Sequence, residues 1–218
     1  MTVTSDHAWV QRLGGCLIVF DGPDGCGKST QIARLSEFCH GAGLVVALVR
    51  EPGGTAVGER IRQVLLDPVH AEMTLRAEML LYMASRAQLV EERILPARSR
   101  GELVLADRFV SSTLAYQGTA GGLAPEAIRA VAQIAVGDCR VDLMVLLDVD
   151  TDTAMSRVGK ERDRMEQKDR AFHARVREGY LAQARDNPAG TLVVDASRGP
   201  DSVFAEICAG LRARLAPR

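Results

Sequence analysis

A glycine-rich stretch near the N-terminus contains residue types that bind phosphate. It reads Gly22-Pro23-Asp24-Gly25-Cys26-Gly27-Lys28-Ser29 and matches the pattern G-x-x-x-x-G-K-[ST] in full. Glycines let the backbone curl so that successive N–H groups point at phosphate oxygens, and the lysine reaches the β- and γ-phosphates of a nucleotide. The serine hydroxyl is a typical Mg²⁺ ligand in such loops. The pattern predicts that these residues, together with Thr30, bind ATP.

A second chemical element follows the apolar run Leu103–Ala106, which ends on Asp107 and Arg108. A carboxylate at the end of a neighbouring strand is typical of a magnesium ligand, so we expect Ser29 and Asp107 to hold the ion. An aspartate in this place can also be a simple helix cap. The planar guanidinium of Arg108 fits phosphate oxygens in a bidentate manner, which makes it a candidate phosphate clamp.

Short apolar runs alternate with helical patterns along the chain. The runs are Cys16–Phe20, Leu44–Val49, Leu103–Ala106, Leu143–Val149 and a weaker Thr191–Val194. The helical patterns are Lys28–His40, Thr55–Leu66, Thr74–Ser99, Pro125–Val136, Asp169–Ala184 and Asp201–Leu215. Continuous runs of Val, Ile and Leu are typical of strands buried on both faces of a parallel sheet. The alternation predicts an α/β fold, a three-layer sandwich with a five-stranded parallel sheet and ligands outside the carboxyl ends of the strands.

The 218 residues are predicted to form a single domain over 16–218, preceded by an N-terminal extension of residues 1–15. The first part of that extension, Met1–Leu13, has no apolar segment of the signal-peptide type and is expected to be loose. No stretch approaches the ~18 apolar residues needed to span a bilayer. Five scattered cysteines without a C-x-x-C pair indicate a reducing, cytoplasmic location rather than disulfides or a zinc site.

The overall charge and the aromatic content argue against several classes of partner. With 27 basic and 28 acidic side chains, the net charge of −1 gives no general attraction to nucleic acid or to an anionic membrane. Aromatic residues make up 4% of the chain, too few for a groove built on base stacking. We therefore expect a small, locally bound nucleotide, and neither a nucleic acid polymer nor a membrane as partner.

Residues 157–170 interrupt the apolar rhythm with a dense run of charges. Such a run is usually a solvated surface. This one follows the fourth strand, on the side of the sheet where ligands bind, which favours a short basic lid. The run is predicted to be too charged to pack into a core and mobile until polyphosphate draws it down. Arg162 and Arg164 are predicted to act in catalysis with Lys28 and Arg108, by stabilising charge on the transferring phosphoryl group.

From Cys16 to Leu211 the chain resembles the thymidylate kinase family, one of the P-loop nucleoside monophosphate kinases. Besides the phosphate-binding loop, the shared motifs are Arg50-Glu51-Pro52-Gly53-Gly54-Thr55, Asp107-Arg108-Phe109, Ser112-Thr113-x-Ala115-Tyr116-Gln117 and Asp163-Arg164-x-Glu166. This ordered set is far more specific than the loop alone. The resemblance implies transfer of the γ-phosphate of ATP to thymidine monophosphate (dTMP), with Mg²⁺ as cofactor and a homodimer as the assembly.

The resemblance also implies which residues bind the sugar and the phosphate of dTMP. Asp24 falls at the position that contacts the 3′-hydroxyl, a role that suits a group able only to accept hydrogen bonds. Arg50 and Arg108 fall where the acceptor phosphate is held. Tyr116 lies where the 2′ side of the sugar is walled, although a packed core tyrosine is the alternative. Glu51 has no assigned role and could cap the following turn.

For the base, the resemblance places Tyr82 against the thymine ring and Arg86, one helical turn later, as a donor to its O4 atom. Ser112, Thr113 and Gln117 fall where the base is lined. The alternatives are a core position for Tyr82 and a helix-surface salt bridge for Arg86. Family members more often have Phe in place of Tyr82, some have arginine in place of Cys26, and the charged run is shorter here.

The predicted mechanism needs no general base, because the acceptor phosphate oxygen is already anionic at neutral pH. Three rival functions remain at this point. The first is a kinase of another small acceptor, which the base pocket would discriminate. The second is a nucleotide-hydrolysing switch or regulatory ATP-binding module, against which Arg50, Arg108 and the basic run argue. The third, a basic-patch nucleic-acid binder, is disfavoured by charge and composition.

Overall fold

The computed structural model describes residues 8–159 and 163–215. Parallel strands form a five-stranded sheet in the order β2-β3-β1-β4-β5. The strands are β1 (Leu17–Asp21), β2 (Val46–Arg50), β3 (Leu103–Asp107), β4 (Leu143–Asp148) and β5 (Thr191–Asp195). Because β1 lies between β3 and β4, the loop after β1 emerges at the centre of the sheet, beside the residues that follow β3.

Helices cover both faces of this sheet and complete the predicted α/β sandwich, which the structure confirms. They are α1 (Lys28–Gly41), α2 (Ala56–Leu66), α3 (Leu75–Leu89), α4 (Leu95–Ser99), α5 (Val110–Thr113), α6 (Pro125–Val136), α7 (Thr151–Arg157), α8 (Arg170–Asp186) and α9 (Pro200–Arg214). Short 3₁₀ turns lie at Val10–Leu13 and Pro68–His70, and π-helical turns lie at Val90–Ile94 and Leu114–Ala120.

Alternate residues of the central strands enter two separate apolar cores. Ile18 and Phe20 of β1 pack in one core with residues of α1 and α9, including Leu35 and Ile207. Leu17 and Val19 belong to the opposite core, which includes residues of α3, α4 and the π turn between them. Since side chains alternate across a strand, burial on both faces requires an uninterrupted apolar run. The sheet is thereby a rigid platform for the residues at its carboxyl edge.

The predicted helix Thr74–Ser99 is interrupted in the structure. After α3 ends at Leu89, the chain forms the π turn Val90–Ile94 and then the short helix α4. Pro96 has no N–H to donate, and its ring would crowd the carbonyl four residues earlier, so a regular α-helix cannot continue through it. The uncharged stretch after β3, for which the sequence predicted no element, is helical over Val110–Ala120.

The N-terminal extension is not loose where the structure describes it. Trp9, Val10 and Leu13 are buried in the core that contains α1, and the Trp9 ring stacks on Phe38 with 6.0 Å between ring centroids. The prediction of a loose Met1–Leu13 is therefore wrong for residues 9–13, because three large apolar side chains within five residues gain more from burial than from exposure. Across residues 8–159 and 163–215, no helix combines the length and apolar character needed to cross a bilayer.

Candidate active site

The predicted phosphate-binding loop joins β1 to α1 at the centre of the sheet. Gly22 and Gly25 adopt positive φ angles of 140° and 81°, and a Cβ atom at Gly25 would lie 2.2 Å from the carbonyl oxygen of Ala154. Only glycine fits these close approaches. The ammonium group of Lys28 donates to the carbonyls of Gly22 (3.2 Å) and Pro23 (3.0 Å), which holds it beneath the loop.

A cleft of about 680 Å³ opens over this loop and extends to the ends of β2 and β3. Most of the predicted site residues line it: Asp24, Gly25, Gly27, Lys28, Ser29, Thr30, Arg50, Tyr82, Asp107, Arg108, Ser112, Thr113, Tyr116 and Gln117. Gly22, Pro23 and Cys26 belong to the loop but are not part of this lining. Cys26 is buried in the apolar core beside α1, and burial raises the pKa of its thiol.

Ser29 and Asp107 meet at the loop edge, as the magnesium prediction requires. The Ser29 hydroxyl donates to a carboxylate oxygen of Asp107 over 3.4 Å. A hydroxyl and a carboxylate are hard oxygen donors, which Mg²⁺ prefers together with phosphate oxygens and water. Within the described part of the chain no cluster of three or more His, Cys, Asp or Glu side chains is available to bind a metal. The donor set thus fits an ion that is bound jointly with a nucleotide.

Arg108 lies opposite the loop and contacts Asp24 directly. One guanidinium nitrogen forms an ion pair with Asp24, and Tyr116 donates its hydroxyl to the same carboxylate at 2.7 Å. Burial alone would raise the pKa of Asp24, but Arg108, Lys28 and the Tyr116 hydrogen bond hold it well below its usual range. Arg108 has a φ of 72°, a strained conformation for a residue with a side chain. The backbone strain is tolerated where it aims this arginine into the cleft.

A fully buried carboxylate, Asp21, belongs to the hydrogen-bond network that holds Arg108. It ends β1 and accepts hydrogen bonds from Tyr180 (2.5 Å), Ser111 (2.5 Å) and Ser112 (2.7 Å). Arg108 in turn donates to Ser112 and Tyr180 at 3.1 and 3.0 Å. The sequence prediction missed Asp21 and Tyr180. An acidic residue that closes a buried strand was a usable signal for Asp21, whereas a single tyrosine in α8 gave none.

Arg86 lies behind the cleft wall, and its side chain is 1% exposed. Its Nε donates to Glu51 at 2.6 Å, and its terminal nitrogens donate to Thr113 (3.2 Å) and to the carbonyl of Phe109 (2.9 Å). The alternative of a surface salt bridge is wrong, since the pair is buried. Burial raises the pKa of Glu51 to about 7, against the lowering effect of Arg86. Glu51, which the sequence left unassigned, is thus the partner that keeps Arg86 in place.

Arg50 ends β2 at the cleft and remains about half exposed. It donates to Glu59 of α2 at 2.9 Å, and the same carboxylate oxygen accepts the backbone N–H of Gly54 at 2.7 Å. Glu59 therefore orders the loop Arg50–Thr55 around the arginine. Tyr82 also lines the cleft, and burial, together with the nearby negative charge of Glu78, raises the pKa of its hydroxyl. Tyr82 therefore contributes an uncharged aromatic ring to the lining of the cleft.

The charged run packs against the domain more closely than predicted. Arg164 is buried, its guanidinium pairs with Glu78 at 2.5 Å, and its Nε donates to the carbonyl of Leu65 at 2.8 Å. Met165 is buried beside it. The prediction of a run too charged to pack is therefore wrong for this residue, and its guanidinium faces Glu78 in this structure. Arg164 can be buried because the Glu78 carboxylate balances its charge and the Leu65 carbonyl accepts a hydrogen bond from it. Arg162 lies outside the described residues.

Two groups of residues whose chemistry suits phosphate thus line a single cleft, one on the loop after β1 and one formed by arginines at the ends of β2 and β3. A nucleotide hydrolase has no use for the second of these, whereas group transfer between two phosphates requires both. Fold and cleft define a P-loop phosphotransferase whose acceptor is itself phosphorylated.

Comparisons with known proteins agree with this class and narrow it. The sequence profile of thymidylate kinase matches residues 20–207. The thymidylate kinase of Deinococcus radiodurans is 46% identical over 92% of this chain and 98% of its own length. That of Desulforudis audaxviator is 45% identical over 94% of each chain. The crystal structure of thymidylate kinase from Ehrlichia chaffeensis superposes with a TM-score of 0.74 at 30% identity, covering 91% of this chain and 99% of that one. The chain belongs to the thymidylate kinase family.

Proposed function

We propose that this cleft carries out the reaction of the family, the phosphorylation of dTMP to dTDP by ATP, with ATP on the loop Gly22–Thr30 and dTMP at the opposite end. One observation carries the proposal. A single cavity of about 680 Å³ is lined by the phosphate-binding loop together with Arg50, Tyr82 and Arg108. This volume falls within the usual range for small-molecule sites.

The acceptor phosphate is assigned to Arg50 and Arg108. Both guanidinium groups line the cleft, and each is held by a carboxylate, Glu59 and Asp24 respectively. Arg50 has further N–H donors for phosphate oxygens. The terminal nitrogens of Arg108 already donate to groups of the domain, so a phosphate would bind through Nε or replace one of these contacts. Asp24 remains ionised, so it can accept a hydrogen bond from the 3′-hydroxyl of the sugar. Tyr116, which donates to Asp24, is then the wall beside the sugar.

The thymine ring is assigned to the space between Tyr82 and the residues Ser112, Thr113 and Gln117, all of which line the cleft. Tyr82 offers a neutral aromatic face for stacking. Arg86 acts at the back of this pocket, where it donates to Thr113 and supplies positive charge toward O4.

Phosphoryl transfer in this site depends on alignment and on positive charge. Lys28 and Arg108 approach the transferring group from the donor and acceptor sides, and the acceptor oxygen needs no base because it is already ionised. Ser29 and Asp107 would hold Mg²⁺, which neutralises charge on the donor phosphates when bound. Arg162 remains a candidate for a further positive charge, whereas Arg164 is committed to Glu78.

Base selection provides the test of the acceptor site. The assay couples ATP consumption to a panel of nucleoside monophosphates. We expect kcat/KM for dTMP to exceed that for dCMP by at least about 100-fold, because the buried guanidinium of Arg86 can only donate hydrogen bonds and the amino group of cytosine is also a donor. We expect Arg86→Ala to narrow this ratio by about tenfold. Equal use of dTMP and dCMP by the wild-type protein would refute the acceptor assignment.

The Arg86 variant needs a control for folding, because its removal leaves Glu51 buried without a partner. The double variant Glu51→Gln, Arg86→Ala contains no unpaired buried charge. It should melt at a higher temperature than Arg86→Ala while it shows the same narrowed ratio of dTMP to dCMP. A ratio restored to the wild-type value in the double variant would assign the selectivity change to misfolding.

We further propose that two copies of the chain pair through α2, α3 and α6. Helix α3 packs against both α2 and α6, and each of the three helices exposes a large apolar side chain: Val57 (52%), Leu80 (49%) and Ile134 (85%). Exposed apolar groups on adjacent elements are typical of an interface. We expect Ile134→Glu to shift the sedimentation coefficient to that of a monomer, and Val193→Glu, on the edge strand β5, to leave it unchanged. A monomeric wild-type protein would contradict the proposal.

The five free cysteines support a reducing, cytoplasmic location.

A further inference from the structure

Glu78 of α3 is a buried carboxylate that connects the charged run to the cleft wall. Its side chain is 4% exposed, and its two oxygens have different partners. Oε2 forms an ion pair with Arg164 at 2.5 Å, and Oε1 accepts a hydrogen bond from the side-chain amide nitrogen of Gln117 at 2.7 Å. Arg164 is fixed independently, since its Nε donates to the Leu65 carbonyl and its backbone N–H to that of Leu66. No role was assigned to Glu78 from the sequence.

The contact with Glu78 determines which way the Gln117 amide points. A glutamine amide has a donor face and an acceptor face, and a half-turn about its last torsion exchanges them. A carboxylate paired with an arginine only accepts hydrogen bonds, so it selects the nitrogen of Gln117 and turns the amide oxygen away. Gln117 lines the cleft, and with its nitrogen held by Glu78 the amide oxygen is the atom left to accept a hydrogen bond from a bound base.

We propose that Glu78, held by Arg164, is a positioning residue that fixes Gln117 as a hydrogen-bond acceptor for the N3–H of thymine. The proposal rests on the base position proposed above. Thymine carries a proton on N3, whereas N3 of cytosine is an acceptor, so the fixed amide favours the first base and repels the second. Arg164 supplies the compensating charge that a buried carboxylate requires, and this accounts for its position inside the domain.

A double-mutant cycle on base selection tests the connection. The four proteins are wild type, Glu78→Gln, Gln117→Leu and the double variant, and the readout is the ratio of kcat/KM for dTMP to that for dCMP. Glutamine at position 78 can donate or accept, so Gln117 loses its unique orientation and the ratio should fall about tenfold. Gln117→Leu should lower the ratio by a similar factor. In the Gln117→Leu background, Glu78→Gln should change the ratio less than about twofold.

The outcomes separate this inference from the proposed base site. An unchanged ratio in Gln117→Leu would overturn the base position itself. If Gln117→Leu lowers the ratio but Glu78→Gln does not, the base site is retained and the role of Glu78 is overturned. The same conclusion follows if Glu78→Gln lowers the ratio equally in the wild-type and Gln117→Leu backgrounds. Because Glu78→Gln leaves Arg164 buried without a charged partner, the double variant Glu78→Gln, Arg164→Met, which retains neither charge, is the control for stability. It should show the same lowered ratio of dTMP to dCMP as Glu78→Gln, and a ratio restored to the wild-type value would overturn the proposal.

Discussion

Replacement of Lys28 by alanine is expected to lower turnover by at least about 10³-fold, which corresponds to about 4 kcal/mol of transition-state stabilisation. Lys28 is 8% exposed, and two carbonyls of the loop accept hydrogen bonds from its ammonium group. The position of the charge is therefore set before any nucleotide binds. A preorganised charge costs no rearrangement when charge develops on the transferring phosphoryl group. Steady-state kinetics with saturating dTMP and varied ATP measures the loss.

The matched control for this variant is Lys168→Ala, which removes the same side chain from an exposed position outside the cleft. We expect wild-type turnover from it. Far-UV circular dichroism and thermal melting should show that Lys28→Ala is folded. Among the described residues Lys28 forms no ion pair, so its removal leaves no buried carboxylate without its partner. Turnover of Lys28→Ala within tenfold of wild type would remove the phosphate-loop assignment.

The second large effect is expected at Arg108. Arg108→Ala should lower kcat/KM for dTMP by about 10³-fold or more, because the variant loses a ligand of the acceptor phosphate and a positive charge next to the transferring group. It also leaves Asp24 without the ion pair that holds its pKa low, so that carboxylate becomes easier to protonate. The measurement is kcat/KM with dTMP varied at saturating ATP.

Loss of a largely buried ion pair also destabilises the protein, and a matched control isolates that effect. Arg98 is similarly buried, with 23% of its side chain exposed against 16% for Arg108, and it pairs with Asp142 at 2.9 Å at the opposite end of the sheet. Arg98→Ala and Arg108→Ala should both lower the melting temperature, by losses of about 1–3 kcal/mol. Only Arg108→Ala should lose activity. Comparable activity losses in the two variants would show that Arg108 acts through stability alone.

Local sequence patterns determined the parts of this protein that depend on local geometry. Neighbouring backbone comes so close to Gly22 and Gly25 that only glycine fits there. The phosphate-binding loop could therefore be predicted from its residue types. Uninterrupted apolar runs identified all five strands, and the physical reason holds for β1, β3 and β4, where burial on both faces leaves no room for alternation. Most of the proposed ligand residues follow strands that run parallel, and their carboxyl ends meet at one edge. That rule predicts one cleft for the loop Gly22–Ser29 and Arg108, whereas the roles of Asp24 and Arg50 came from the family resemblance.

Only the tertiary structure decided which charged side chains are buried and with whom they pair. Asp21 meets Tyr180 across 159 positions of sequence, and Arg86 meets Glu51 across 35. Arg164, in a run that looked like a solvated lid, is buried against Glu78. The physical reason is that a charged residue has the same local pattern whether it faces water or a buried counter-charge. Its environment is set by the packing of distant elements, and the free energy of burying it depends on the partner that this packing supplies.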